Sequence, residues 1–511
     1  MRSTTLAVAV LSALALVPAT EAQAASLDWE PCEGSALNGL ECATLTVPMD
    51  YRSPSGAHLS IALSRHQATD PKRRRGVLFT NPGGPGGAGL QLPIDYADQP
   101  IGQVYDIIGM DPRGVGRSTR LACLISSWRP DLPSRPSDTD LPVFTAVARD
   151  SEEQCQRGGG QLRQHITTMN TARDLDRARA ALGERKINYL GVSYGTWLGA
   201  VYGEMFPQRL DRSVLDSALD PLKTWHEQDD DILTTIEANF TRWATWAANR
   251  NATFKLGTTP REVRASVDKV AEAVKAKPVA GFRDISLFDE NVGVSTRYRP
   301  LWKEFGETMR QALDEIAGAE PDTASRGRID RVVSAQRDDI KATRNGVFQT
   351  VTCEWDWPSN VEGYYADMRK ARDHFPYGNT VSYMAPTNCT FRSFTPEPLP
   401  KIGRARYPLG LVLQSDGDTN TPYVNGEVMA ETLGSALVSV AGEGTHGQYA
   451  NVPDPITGFP AANPCVDDAV NTYLLDGVLP ASRLTCQSTN PPPNVPFDAP
   501  AVAHRTTGAG A

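Results

Sequence analysis

Short apolar runs alternate with a helical pattern through the first 221 residues of the chain. Residues 76–80, 105–111 and 212–217 are each a brief apolar stretch beside turn-forming residues, which is typical of buried strands. Residues 171–183 repeat apolar positions with the period of an amphipathic helix and end at a glycine. Strands that alternate with helices in this way predict an α/β fold whose central sheet is mostly parallel.

The pattern changes after Pro221. Residues 222–398 are mostly polar and amphipathic, and the strongest helical patterns in them lie at 230–250, 260–277 and 302–319. Apolar strands return at 409–422 and 435–447. We therefore expect one α/β core formed by residues 25–221 and 399–486, interrupted by a helical cap at 222–398. Residues 487–511 are rich in proline, alanine and small polar residues, and we expect a flexible tail there.

The first 24 residues predict a signal peptide. Arg2 precedes an apolar run at 6–17, and an Ala-x-Ala sequence ends at Ala24. This run is too short to span a bilayer comfortably, and no other stretch reaches the roughly 18 apolar residues that a membrane helix needs. We expect a secreted, extracellular protein that is not embedded in a membrane.

The net charge argues against a nucleic-acid partner, and the cysteine content agrees with export. The 511 residues carry a formal net charge of −9, which disfavours nucleic acid as a partner. All eight cysteines follow the expected signal peptide, and an even number in an exported chain favours disulfides. The sequence contains no Cys-x₂₋₄-Cys spacing of the kind that metal sites use. Proximity in sequence predicts the pairs Cys32–Cys42, Cys123–Cys155, Cys353–Cys389 and Cys465–Cys486.

The candidate nucleophile is Ser193, in the sequence Gly-Val-Ser-Tyr-Gly at 191–195. An apolar strand at 187–190 precedes it and a helix of small residues follows. Gly-x-Ser-x-Gly in this setting is the nucleophile elbow of α/β-hydrolases, where a strained turn lifts the serine oxygen out of the sheet. The sequence alone is short enough to occur by chance, so a base and an acid are needed as well.

His446 is the best candidate base. It lies in a glycine-rich loop directly after the late strand, whereas other histidines precede Ser193 or lie in the helical region or the tail. In this fold the chain order is serine, acid, histidine. Spacing does not identify the acid, because each candidate follows an apolar strand and aspartates also commonly stabilise turns. The candidates are Asp416, Asp418, Asp216 and, less strongly, Asp220.

A glycine-rich loop at 81–89 follows the first buried strand. It can supply one backbone N–H of an oxyanion hole, and Tyr194, the residue after the serine, can supply the other. The loop also matches Gly-x-Gly-x-x-Gly, the pattern of dinucleotide-binding proteins. We disfavour that alternative, because Pro85 removes an N–H from the phosphate-binding backbone and a secreted protein has little access to nicotinamide cofactors. No cofactor or metal is expected.

Eight motifs together resemble the proline iminopeptidase and tripeptidyl aminopeptidase family of α/β-hydrolases. They are NPGGPGGAG, GMDPRGVGRS, TARDLDRARAALG, INYLGVSYGT, VLDSALDP, SDGDTNTP, GEGTHG and the stretch 463–486. The last three resemble its secreted actinobacterial tripeptidyl aminopeptidases. The resemblance implies the triad Ser193, Asp418 and His446, with Asp418 selected as the first residue of an Asp-x-x-Thr-Pro element. It also implies Gly84 and Tyr194 as oxyanion donors. Pro82 replaces a histidine that family members often carry.

The resemblance implies a secreted serine exopeptidase that releases short peptides from substrates with a free N-terminus. Tripeptides are the expected product. An acidic group in the cap would recognise the α-ammonium, and Glu354, between Cys353 and Trp355, is our candidate. The alternatives are an extracellular carboxylesterase, an iminopeptidase-like hydrolase with the same triad, and an inactive binding protein on a hydrolase scaffold.

Overall fold

A ten-stranded sheet forms the centre of the protein in the computed structural model, which describes residues 27–123, 132–320, 346–450 and 462–498. The sheet order is β1-β2-β3-β5-β4-β6-β7-β8-β9-β10. The strands are β1 (Glu30–Pro31), β2 (Glu41–Pro48), β3 (His58–His66), β4 (Gly76–Asn81), β5 (Tyr105–Met110), β6 (Ile187–Val192), β7 (Leu210–Asp216), β8 (Leu411–Ser415), β9 (Ala436–Ala441) and β10 (Arg483–Gln487).

Helices cover the sheet and fill the insertion between β7 and β8. Those of the described residues are α1 (Leu92–Ala97), α2 (Leu141–Gly159), α3 (Thr168–Ala181), α4 (Tyr194–Met205), α5 (Trp225–Ala248), α6 (Asn251–Phe254), α7 (Pro260–Ala276), α8 (Ile285–Arg297), α9 (Trp302–Ile316), α10 (Gly346–Val351), α11 (Val361–His374), α12 (Thr380–Tyr383), α13 (Tyr423–Leu433) and α14 (Pro464–Asp476).

The sheet confirms the predicted fold class. Strands β4 to β10 pair in parallel, while β1, β2 and β3 form an antiparallel edge that joins the sheet through β5. Every residue of β4, β5 and β8 is buried, as expected for parallel strands covered on both faces. Strand β10 alternates exposed and buried positions at the edge of the sheet, and its weak apolar pattern explains why sequence reasoning did not predict it.

The insertion has a hydrophobic core of its own. Trp243, Val267, Phe288 and Phe305 are each at most 2% exposed and belong to one cluster of residues from α5, α7, α8 and α9. Helices α5 and α7 both begin with a capping box, in which a threonine and the glutamate three residues later satisfy the first free N–H groups. The helical pattern predicted from the sequence is present in all three of the segments where it was strongest.

Two segments outside 222–398 also pack against the insertion. Helix α2 contributes Leu141 and Phe144 to a cluster with Met368 of α11. Residues 488–498 differ from the flexible tail expected there, because Val495 is 4% exposed within the insertion core and its carbonyl accepts a hydrogen bond from Arg250 at 2.9 Å. The expected signal peptide and residues 499–511 lie outside the described residues.

The four disulfides confirm the pairing predicted from sequence proximity: Cys32–Cys42, Cys123–Cys155, Cys353–Cys389 and Cys465–Cys486. Each closes a loop of 10 to 36 residues. Among the described helices, none combines the length and the apolar character required to cross a membrane.

Candidate active site

Ser193 occupies a sharp turn between β6 and α4. Its backbone has φ 59° and ψ −128°, a conformation that non-glycine residues rarely adopt. The side chain is partly exposed, and the Ser193 N–H donates to the Asp216 carbonyl at 2.9 Å. The strained turn predicted from Gly-x-Ser-x-Gly is therefore present, with its serine at the carboxyl end of a parallel strand.

The two glycines of this motif are required by close backbone contacts. A Cβ on Gly191 would lie 2.4 Å from the Gly195 carbonyl oxygen, and a Cβ on Gly195 would lie 2.8 Å from the Asn81 carbonyl oxygen. A Cβ cannot lie this close to a carbonyl oxygen, so any larger residue at either position would displace the turn.

The glycine-rich loop after β4 packs directly on this elbow. A Cβ on Gly83, whose φ is 86°, would lie 2.4 Å from the Val192 carbonyl oxygen and 2.9 Å from the Ser193 Cβ. The Gly83 N–H already donates to the Asn81 side chain at 2.9 Å. The next residue, Gly84, has no hydrogen bond from its N–H to any described residue.

His446 and Asp418 meet across the loops that follow β9 and β8. The His446 Nδ1 lies 2.6 Å from the Asp418 Oδ2, and the Thr421 hydroxyl donates to the same carboxylate oxygen at 2.7 Å. Asp418 is fully buried, whereas the His446 side chain keeps 20% of its surface exposed. The geometry suits an imidazole oriented by a buried acid on one side and open to a reacting group on the other.

The loop of His446 is also attached to the strand next to the elbow. The Gly447 N–H donates to the Ser217 hydroxyl at 2.8 Å, and the Gln448 N–H donates to Asp216 Oδ2 at 2.7 Å. Because Ser193 donates to the Asp216 carbonyl, one strand end holds both the serine and the histidine loop. Ser193, Asp418 and His446 thus all lie at the carboxyl edge of the parallel strands.

The other aspartates that sequence spacing allowed have different contacts. Asp416 accepts the N–H groups of Gly442 and Glu443, both at 3.1 Å, and so fixes the start of the histidine loop. Asp220 accepts the N–H of Leu222 at 2.8 Å. Of the four candidates, the contacts of the described residues give only Asp418 a bond to an imidazole nitrogen.

The charge on Asp418 is stabilised by its neighbours. Burial alone would raise the pKa of Asp418, but the imidazole of His446 and the guanidinium of Arg297 outweigh this effect and lower that pKa below its usual value. The Arg297 Nη2 lies 3.0 Å from Asp418 Oδ1. Sequence reasoning missed Arg297, since nothing near it in the chain links it to residue 418; Thr421 was visible in the Asp-x-x-Thr-Pro element.

Asp216 is also buried, but no cation contacts it among the described residues. Burial raises the pKa of Asp216 to about 6, and the N–H groups of Gln448 and Tyr449 only partly offset that effect. Asp216 therefore has a structural task that spacing alone did not reveal: it anchors the loop that carries His446.

Glu354 lies close to the elbow, at the end of a short 3₁₀ turn, Thr352–Glu354. Its Oε1 accepts the Thr168 N–H and its Oε2 accepts the Thr168 hydroxyl, both at 2.5 Å. The same hydroxyl contacts the Tyr194 hydroxyl at 2.7 Å. Burial raises the pKa of Glu354 to about 8; the hydrogen bonds from Thr168 offset this only in part, and no cation does so among the described residues. The next residue, Trp355, packs on Trp197 of α4 with ring centroids 5.2 Å apart.

Two family models match the chain, one described as the alpha/beta hydrolase fold over residues 76–299 and one as TAP-like protein over residues 374–486. The chain is 34% identical to tripeptidyl aminopeptidase of Streptomyces lividans over 92% of this chain and 88% of that protein. It is 28% identical to serine protease Hip1 of Mycobacterium tuberculosis, over 90% of this chain and 91% of Hip1. Carboxylesterase B of the same organism is also 28% identical, over 92% and 91%. With these relatives and this fold, the chain belongs to the tripeptidyl aminopeptidase family of α/β-hydrolases and is a serine hydrolase.

Proposed function

We propose that the protein is a secreted exopeptidase that releases tripeptides from the free N-terminus of peptides. The observation that carries the proposal is the pairing of His446 with the buried Asp418 at the strand edge that also bears the strained Ser193. The peptide substrate class is supported by the relatives named tripeptidyl aminopeptidase and serine protease. Four disulfides and the sequence pattern of the first 24 residues support export.

Catalysis would run through an acyl-enzyme. The Ser193 oxygen attacks the scissile carbonyl carbon while His446 takes the hydroxyl proton, and Asp418 stabilises the imidazolium that forms. Collapse of the tetrahedral intermediate breaks the C–N bond, and His446 returns the proton to the leaving amine. Water then attacks the ester with the same base, which frees the peptide and restores the serine.

The developing oxyanion would be held by the N–H groups of Tyr194 and Gly84. Tyr194 is the first residue of α4, where the backbone N–H has no partner within the helix. In the glycine-rich loop, the Gly83 N–H is already used by Asn81, which favours Gly84 as the second donor. Each such donor typically stabilises a transition state by about 3 kcal/mol.

Glu354 is our candidate for binding the α-ammonium of the substrate. Its carboxyl is buried without a cationic neighbour among the contacts of the described residues, and it is linked through Thr168 to Tyr194 beside the nucleophile. A substrate ammonium would supply the missing positive charge and favour the ionised carboxylate. The helices of residues 222–398 would form the cap that closes the cleft around the N-terminus.

Four chromogenic substrates test this function with the purified wild-type protein and Ser193→Ala. They are a tripeptide amide with a free amine, its N-acetyl form, a single amino-acid amide and a short acyl ester. We expect the wild type to cleave the free tripeptide amide and Ser193→Ala not to cleave it. Activity that persists in Ser193→Ala would exclude Ser193 as the nucleophile.

Glu354→Gln tests the amine site with the same substrates. We expect the KM for the free tripeptide amide to rise at least about tenfold, because a charge-assisted bond to the ammonium contributes roughly 1.5–3 kcal/mol. Hydrolysis of the acyl ester is the matched control and should keep its KM. An equal rise for both substrates would mean that Glu354 supports the fold around Tyr194 and does not bind the amine.

A carboxylesterase is the second candidate, because one relative of similar coverage carries the name carboxylesterase B. Hydrolysis of the acyl ester without cleavage of any amide would favour this function and leave the proposed triad intact. Preference for the single amino-acid amide would instead indicate an iminopeptidase-like enzyme.

A further inference from the structure

Arg297 lies where the helical insertion meets the two loops that carry Asp418 and His446. It is the last residue of α8, and its side chain is only 6% exposed. We propose that Arg297 is a positioning residue that fixes these two loops relative to each other. Its charge also allows His446 to act as a base at lower pH. The proposal rests on the triad proposed above, but not on the peptide substrate.

The first set of contacts joins Arg297 to the loop of the acid. Its Nη2 lies 3.0 Å from Asp418 Oδ1, and its Nη1 donates to the Thr419 hydroxyl at 2.9 Å and to the Asn420 side-chain oxygen at 3.0 Å. Asp418 Oδ1 also accepts the Asn420 N–H at 2.8 Å, whereas Oδ2 faces His446. One carboxylate oxygen therefore holds the acid in place, and the other orients the imidazole.

The second contact joins the same guanidinium to the loop of the base. The Arg297 Nε donates to the Gly444 carbonyl at 2.6 Å, two residues before His446. A Cβ on Gly444 would lie 2.4 Å from the Arg297 carbonyl oxygen, so the two backbones are also in close contact there. A planar guanidinium with several fixed donors can satisfy both loops at once, which a lysine ammonium cannot do in the same geometry.

The positive charge of Arg297 acts on the acid–base pair. An ionised guanidinium beside Asp418 favours the carboxylate, and it disfavours a second positive charge on the neighbouring imidazole. His446 must be neutral to accept the serine proton. Arg297 therefore keeps the base functional at more acidic pH than the Asp418–His446 pair would allow by itself.

Other charged groups of the described residues lie on the elements packed around this pair. They come from the end of β7, the loops after β8 and β9, α5 and the segment after α8: Asp216, Asp416, Glu443, Arg242 and Arg299. The three carboxylates favour the imidazolium and so oppose Arg297. Arg299 contacts Asp416, two residues before the acid, at 3.3 Å and so offers a matched control.

The reporter for the test is inactivation by phenylmethanesulfonyl fluoride, which sulfonylates the serine without any peptide or ester specificity. The second-order rate constant is measured from acidic to alkaline pH for the wild type, Arg297→Met, Arg297→Lys and Arg299→Met. Ser193→Ala defines the background. A wild type that is not inactivated would contradict the proposed triad itself, which separates that failure from a failure of Arg297.

We expect the midpoint of the acid limb to move up by about one pH unit in Arg297→Met, because the opposing charge is lost. In Arg297→Lys the midpoint should stay near the wild-type value while the plateau rate falls about tenfold or more, since the charge remains and the loop contacts do not. Arg299→Met should keep the wild-type midpoint.

Two results would overturn the proposal. A folded Arg297→Met with the wild-type midpoint would exclude the electrostatic role, and a wild-type plateau rate in Arg297→Lys would exclude the positioning role. If Arg297→Met does not fold, Arg297→Gln takes its place, because glutamine is neutral but can still donate one hydrogen bond to the Gly444 carbonyl.

Discussion

Three buried carboxyl groups near Ser193 differ in the charge they can carry, because each has different neighbours. Asp418 contacts an imidazole and a guanidinium, so its pKa is lowered despite burial. Among the described residues, Asp216 contacts two backbone N–H groups and a hydroxyl but no cation, and burial raises its pKa to about 6. Within the described part of the chain, Thr168 donates both hydrogen bonds to the Glu354 carboxyl, and burial raises the pKa of Glu354 to about 8. The environment of each side chain, and not its residue type, thus assigns its task.

Asp216 gives a prediction about stability and pH. Its pKa in the folded protein, about 6, lies above the ordinary value of 3.8. The contribution of this group to the free energy of unfolding is therefore fully present below pH 4 and is lost as the pH rises through 6. A shift of roughly two units corresponds to about 3 kcal/mol. We expect the free energy of unfolding of wild type minus that of Asp216→Asn to fall by about this amount from pH 4 to pH 7.

Denaturant titrations at several pH values measure this difference. Asp211→Asn, an exposed position on the same strand, serves as the control and should leave the difference from wild type constant with pH. Parallel curves for wild type and Asp216→Asn would contradict the prediction.

At the scale of elements, the elbow depends on a neighbouring loop. Gly83 follows β4 and packs on Val192 and Ser193 at distances that exclude any Cβ. The neighbours are backbone atoms and the Cβ of Ser193, so they cannot move aside without moving the turn. The Gly83 loop and the elbow therefore form one rigid unit, which also brings the proposed oxyanion donors together.

Gly83→Ala should lower kcat about 100-fold or more, because displacing a nucleophile by even 1 Å has an effect of this size. Gly39 provides a matched control, since it has the same φ of 86° but nothing within 4 Å of an added Cβ. Gly39→Ala should therefore cost about 1–2 kcal/mol of stability from backbone strain and leave kcat intact. Equal kcat values for the two variants would show that the contact with the elbow is unimportant.

At the scale of the whole molecule, the insertion between β7 and β8 is tied to the α/β core at several points. Arg297 reaches the loops of Asp418 and His446, and Trp355 packs on Trp197 of the helix that follows Ser193. Residues 488–498 return from the edge strand β10 and place Val495 in the insertion core. Because these contacts link distant parts of the chain, the stability of the insertion depends on the C-terminal segment.

Val495→Asp should destabilise the insertion by about 3 kcal/mol or more, because it places a carboxylate among the buried apolar side chains of the insertion core. Val478, which is 57% exposed, is the matched control, and Val478→Asp should change stability by no more than about 0.5 kcal/mol. Calorimetry and near-UV circular dichroism measure both effects. A similar small change in the two variants would mean that the segment is not held as described.

The amino-acid sequence by itself determined the fold class, the interruption of the sheet and the disulfide pairs. These features depend on local patterns: apolar runs specify buried strands, the helical period specifies the insertion, and short spacings favour neighbouring cysteines. The strained turn at Ser193 is equally local, since its glycines lie two residues away on either side.

Only the tertiary structure shows which contacts the acidic residues make. Asp416 and Asp418 are two positions apart, and spacing could not distinguish them; the family resemblance was needed to select Asp418. The residues that contact Asp418 in the fold, His446 and Arg297, are 28 and 121 positions away along the chain. The partners of Glu354 and Val495 lie still farther away, at 186 and 245 positions along the chain. Local patterns record where a strand or helix forms, whereas the charge and task of a buried polar group depend on what the fold packs against it.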